Sequence, residues 1–123
     1  MKMLIKINQM LLRLAVLAML VMGVMVWMGN APLVNGHIGL GFIFTLLVLL
    51  QAVLGGIAGG GWGLAGLTAL WGVLLPVIGL GQRAVMVGDA HWVVRVFHML
   101  FSLTTMAFVE MLAKRALSKP PTG

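Results

Sequence analysis

Histidine and arginine are rare in this chain, and where they gather they do so at helical spacing. In the stretch HWVVRVFHMLFSLTTMAFVEMLAK, His91 to Lys114, the residues His91, Arg95, His98, Ser102 and Thr105 share one face. At roughly 100° per residue they fall within a sector of about 80°. The opposite side is Val, Leu, Met and Phe. Ionisable side chains at membrane depth are costly, so they turn toward a bundle interior or cavity and mark functional sites. A neutral imidazole there offers a lone pair to a metal. His98 is therefore read as a ligand to a haem iron, with His37 from another segment as the second ligand.

Depth tests that pairing. With a helical rise of about 1.5 Å per residue, His37 stands roughly 27 Å above Gly55 and His98 roughly 24 Å above Lys114. Gly55 and Lys114 are where these two segments are expected to meet the same membrane face, so the imidazoles match within about a turn. His91 stands roughly 35 Å up, at the rim, and is the alternative ligand if the last helix is shifted. The macrocycle also needs room one turn from each ligand, and Gly41 and Ser102 occupy those positions. Phe44 is placed to pack on the ring. Arg83 and Arg95 supply cations for the haem propionates, and Asn35 and His91 can add hydrogen bonds. The plainer reading is an amphipathic edge histidine, which suits His37 taken alone better than it suits His98.

The composition sets the frame for this site. The chain has 123 residues, 62% hydrophobic and 8% charged, with mean hydropathy +1.14. Soluble domains do not have this balance. The expected protein is a multi-pass protein of the cell inner (cytoplasmic) membrane, with the lipid bilayer as its first partner. The six-charge positive excess lies mainly near the two ends. It reads as topology and anionic-lipid contact, and no basic face interleaved with aromatics suggests nucleic-acid binding. Cysteine is absent, which excludes disulfides, iron–sulfur ligation, thiolate haem ligation and covalent CxxCH attachment. Any haem is held by histidine or methionine and is non-covalent.

The elements that position these residues follow in order. Lys2, Lys6 and Arg13 precede the apolar run Leu14 to Met28, an arrangement shared with signal peptides, and Gly29-Asn30-Ala31 offers a small-residue cleavage site. Pro32 at the first mature position argues against cleavage, so the segment is expected to be retained as a helix. The spacing predicts four transmembrane helices at about 8–28, 34–54, 62–81 and 90–117, with a kink at Pro76 and a disordered tail over 118–123. The fold class is an all-α up-down-up-down bundle forming a single domain, 1–117. Lys and Arg distribution places both termini in the cytoplasm and the haem near the extracytoplasmic side.

Other residues receive simpler readings. Glu110 is expected to pair with Lys114 at i+4 near the headgroups. Gln51 either hydrogen-bonds across the bundle or faces quinone. The eleven methionines are mostly lipid-facing filler, and the positions of Met99 and Met106 off the polar stripe argue against axial Met ligation. Trp27, Trp62 and Trp92 read as interfacial anchors. No Ser/His/Asp set, carboxylate pair or phosphate loop is present, so an independent enzyme is not expected.

The order of a helix entering with His37, the motif Gln-Ala-Val-Leu-Gly-Gly from Gln51 to Gly56, and a later helix carrying His98 resembles one four-helix half of the haem A synthase family. Similar half-bundles occur in other membrane b-type cytochromes. The resemblance implies that His37 and His98 are the axial pair. The substrate-processing half of that family has an acidic residue three positions before its first histidine and an arginine just after it. Val34 and Ile38 stand there in this chain, so the resemblance implies the cofactor-holding half, with a bound haem b, and a chain of half the family's length is expected to dimerise or join a larger redox complex. The expectation is a membrane b-type cytochrome, an electron carrier or redox subunit, with quinone as a candidate partner. The alternatives are a cofactor-free accessory subunit of a respiratory or photosynthetic complex and, further off, a transporter half with Arg95 and Glu110 along its path.

Overall fold

The computed structural model describes residues 1–120 and, over these, contains helices and turns with no strand. The four long helices are α1 (Lys2–Trp27), α2 (Val34–Gly55), α3 (Trp62–Gly81) and α4 (His91–Ser118). Each is long and apolar enough to cross a membrane. The shortest, α3, has 20 residues, or about 30 Å of rise, the thickness of a hydrocarbon core. Each helix packs on the next and α4 closes back onto α1, so the bundle is antiparallel with both described ends of the chain at one end.

The first helix begins at Lys2 rather than near residue 8. Its inward stripe is Ile5, Asn8, Leu12, Ala15 and Met19, at alternating steps of three and four residues. Ile5 is fully buried against Ala113 and Ala116 of α4, so tertiary packing extends the helix through the basic start. At its far end α1 stops in a Schellman motif. Gly29 is left-handed at φ 104°, its N–H donates to the Val26 carbonyl, and the Asn30 N–H reaches back to Met25. The last helix includes Ser118, where a disordered tail was expected to start, and residues 121–123 of that tail lie outside the described residues.

The Gly-rich connection after α2 is a wide five-residue turn, Gly56–Gly60, folded against α4. Gly59 (φ 86°) and Gly61 (φ 100°) take the left-handed conformations that reverse the chain. The main core, between the helices, contains Leu12, Met19, Phe44, Val48, Leu75 and Val109. Met19 and Met106 are buried in it, unlike the lipid-facing methionines the sequence suggested.

Polar atoms inside the bundle are handled by specific partners. Pro76 lacks the N–H that would bond the Gly72 carbonyl, four residues earlier, yet α3 continues through it. The Thr45 hydroxyl of α2 donates to that carbonyl at 3.3 Å, which is how a neighbouring helix tolerates an internal proline. At the end carrying the termini, Asn8 donates to the Leu47 carbonyl at 2.9 Å and to Gln51 Oε1 at 2.8 Å. Gln51 therefore bonds across the bundle. Glu110 pairs with Arg13 of α1, at 2.7 and 2.9 Å, and accepts from Gln9. This corrects the expected Lys114 partner: α1 lies beside α4, and a guanidinium fork matches both carboxylate oxygens where an ammonium matches one.

Thr45→Val keeps the shape of the side chain and orphans the Gly72 carbonyl. The expected cost is about 0.6–1.7 kcal/mol, the range of interhelical hydrogen bonds in membranes, seen as a lower unfolding midpoint in detergent and recovered by Thr45→Ser.

Candidate functional site

At the end of the bundle away from the termini, the two histidines come together. His37 is the fourth residue of α2 and His98 the eighth of α4, positions that two antiparallel-connected hairpins bring to one height. Their ring centres are 6.4 Å apart and the ring planes are inclined at 68°. Both side chains are half-buried, and Nδ1 of each is buried with no hydrogen-bond partner. Nε2 of neither ring is among the buried unpartnered atoms, and the His37 ring lies close to the Met19 backbone.

Two clefts flank the pair. One lies among α1, α2 and α4, with about 1120 Å³ of space including its open mouth, and is lined by His37, Phe44, His91, Arg95, His98 and Ser102, with Trp27 and Met19 from α1. The other, about 550 Å³, lies between α2 and α3 and is lined by His37, Gly41, Pro76, Gly79, Arg83 and His98. Arg83, Met19 and both histidines border both clefts. Of the nine residues that the sequence assigned to the haem site, eight line one cleft or the other, and Asn35 is the exception.

The charge around this space is mainly positive. Arg83 and Arg95 form no ion pair among the described residues: Glu110 is paired with Arg13 at the other end of the molecule, and Asp89, exposed in the loop before α4, pairs with neither. The Arg95 guanidinium lies 5.7 Å from the centre of the Trp27 ring, a cation–π contact that joins α4 to α1 beside the larger cleft. Trp27 is thus a partner of the site as well as a residue at a helix end. His91 sits at the first position of α4, its Nδ1 3.3 Å from the Val85 carbonyl. It is farther from His37 along the helix than His98 by nearly two turns. Asn35 is exposed and lines neither cleft.

The polar stripe of α4 continues below His98. Ser102 and Thr105 are buried, and each hydroxyl donates to a carbonyl of its own helix, at 2.7 and 2.9 Å. Ser102 therefore leaves its space as a small residue and brings no free polar group into the cleft. Among the lining residues that the sequence did not single out are Met19, Gly23 and Gly79. The inward stripe of α1 reaches Gly23 four residues after Met19, and that of α3 reaches Gly79 four after Leu75, so continuing each stripe by one turn finds them.

A metal held by both imidazoles at the usual nitrogen–metal distance of about 2.0–2.1 Å places ring centres about 6.3–6.5 Å apart. The observed 6.4 Å falls in that interval. The described residues hold no group of three or more His, Asp or Glu side chains that could bind a metal ion. No family model, curated protein or solved structure matches the chain.

Trp27→Leu keeps an apolar side chain and removes the ring facing Arg95. The expected loss is about 0.5–1 kcal/mol, as for a partly exposed cation–π pair, measured as thermal unfolding in detergent, with Arg95→Gln giving no further loss in the Trp27→Leu background.

Proposed function

We propose that the chain is a membrane b-type cytochrome in which His37 and His98 are the axial ligands of one non-covalent haem b. The observation that carries this reading is the 6.4 Å separation of the two ring centres, from different helices, with a cleft on each side of the line between them. A porphyrin lies across the axis joining its axial ligands and extends on every side of it, so one cleft alone would hold only part of the ring. The four equatorial nitrogens come from the macrocycle, which is why two protein ligands suffice.

The chain's own residues then have distinct tasks. His37 and His98 present Nε2 to the metal, since Nδ1 of both is buried. Gly41 and Ser102 leave space one turn below them. Phe44 and the apolar walls exclude water, and Arg83 and Arg95, without acidic partners, face anionic propionates at the rim. When bound, the iron supplies one-electron exchange between ferric and ferrous states. Two uncompensated guanidinium groups favour the reduced, less positive form and so raise the potential. The arrangement of the histidines around the Gln51–Gly56 motif supports placement beside the cofactor-holding half of the haem A synthases.

The termini end carries Lys2, Lys6, Arg13, Lys114, Arg115 and Lys119, against Arg83 and Arg95 at the histidine end. By the positive-inside rule both termini are cytoplasmic and the haem sits toward the extracytoplasmic face of the inner membrane. The chain acts as an electron carrier or as a redox subunit, in a homodimer or a larger membrane complex, with the substrate chemistry or quinone on a partner.

The test is the visible spectrum of the purified protein. Reduced α and Soret bands are expected, lost in His37→Ala and in His98→Ala and retained in His91→Ala. Arg95→Gln is expected to keep the bands and lower the midpoint potential. A colourless wild-type protein after incubation with hemin would overturn the cytochrome reading and leave a cofactor-free accessory subunit.

A further inference from the structure

We propose that Gly79 and Gly23 are positioning residues for the two imidazoles, each fixing the rotation of one ring by backbone contact where no hydrogen bond does so; the inference rests on the haem reading for its consequence. Metal-bound histidines usually donate the second ring N–H to a carbonyl or carboxylate, which fixes ring orientation. Nδ1 of His98 has no such partner here, and the His37 ring lies close to the Met19 backbone without a well-formed hydrogen bond at Nδ1. The torsion that turns an imidazole is broad and weakly held by itself. Something else has to hold the rings.

The nearest surroundings supply it. A methyl group built at Gly79 would lie 2.9 Å from Cε1 of His98, 3.5 Å from Nε2 and 3.6 Å from Nδ1, and these are the three atoms nearest that position. At Gly23 the only atoms within 4 Å are Cε1 and Nδ1 of His37, at 3.4 and 3.9 Å. Each imidazole is therefore backed by the helix that precedes its own, α1 behind His37 and α3 behind His98. Other glycines of α3 differ: a methyl group at Gly72 would press on Val48 of α2 at 2.6 Å, a helix-packing contact, and one at Gly63, Gly66 or Gly81 would meet nothing within 4 Å.

The two seats differ in tightness. A β-carbon at 2.9 Å cannot be accommodated in place, so Ala at 79 must rotate the His98 ring or move the helix. At Gly23 the added methyl group comes into van der Waals contact with the His37 ring, at 3.4 Å, and restricts it without forcing it aside. Both substitutions act on the 68° angle between the ring planes, and the electronic structure of a low-spin ferric haem depends on that angle. The ligand residues and the charges stay as they are, and each methyl group takes a little space from the cleft its glycine lines.

The experiment compares wild type, Gly79→Ala, Gly23→Ala and Gly66→Ala in detergent, loaded with hemin, with histidine labelled at Cε1. Two signals are read: the g-value anisotropy of the ferric protein, and the Cε1–H resonances in the diamagnetic ferrous or haem-free protein. Gly79→Ala is expected to shift the His98 resonance and the g values, Gly23→Ala to shift His37 by less, and Gly66→Ala to move neither. A folded Gly79→Ala protein with the wild-type His98 resonance and g values, or an equal shift in Gly66→Ala, would overturn the proposal. If Gly79→Ala does not fold, an unshifted His37 resonance in Gly23→Ala overturns it instead. Failure of the wild type to take up hemin removes the haem reading alone, because the resonances still decide whether the glycines seat the rings.

Discussion

An apolar bundle has few polar atoms, and each must find a partner inside the protein or leave an unmet need for one. At the termini end most are met: Asn8 on Gln51 and the Leu47 carbonyl, Arg13 on Glu110, and further in, Thr45 on the carbonyl that Pro76 leaves free. Each end still keeps two buried polar atoms without a partner, Asn8 Oδ1 and Gln51 Nε2 at this one and Nδ1 of His37 and His98 at the other. What sets the histidine end apart is that its unpartnered atoms belong to two imidazoles from different helices, with ring centres 6.4 Å apart and clefts beside them, and burying polar groups without compensation is costly.

Helix contact at that end is set by the smallest residues. Gly23 and Gly79 let α1 and α3 reach the histidine rings, while Gly41 lies beside the Met19 side chain, 3.5 Å from where a β-carbon would stand. Close approach through glycine is a common packing device between membrane helices, where burial of apolar area supplies no drive. Here the same device leaves clefts on either side of the ring pair. Met19, in contact with both, is a long flexible side chain able to fill space or yield it.

The stacked aromatic group on the α3–α4 side belongs to the same end-to-end logic. Trp71 lies parallel to Phe101 at 5.2 Å and edge-on to Phe108 at 5.4 Å. Phe101 is one turn from His98. These rings tie α3 to α4 below the histidine pair, so the two helices that carry Gly79 and His98 are held in register by rigid contacts.

The number of helices and their approximate limits were legible in the sequence, since apolar runs of about 20 residues broken by Gly, Pro and Asn leave little choice. So was the candidate site's polar face: a period of 3.6 places His91, Arg95, His98, Ser102 and Thr105 together, and helical rise alone brings His37 to the same height as His98. Which helix stands beside which was not. Glu110 has Lys114 one turn away in sequence but pairs with Arg13, 97 residues distant, because α4 closes against α1. Met19, Gly23, Gly79 and Trp27 joined the site for the same reason. Periodicity specifies what each helix presents on a face, whereas the identity of the facing surface is decided only when four helices pack at once and the ring-to-ring distance, the clefts and the backing glycines come into existence together.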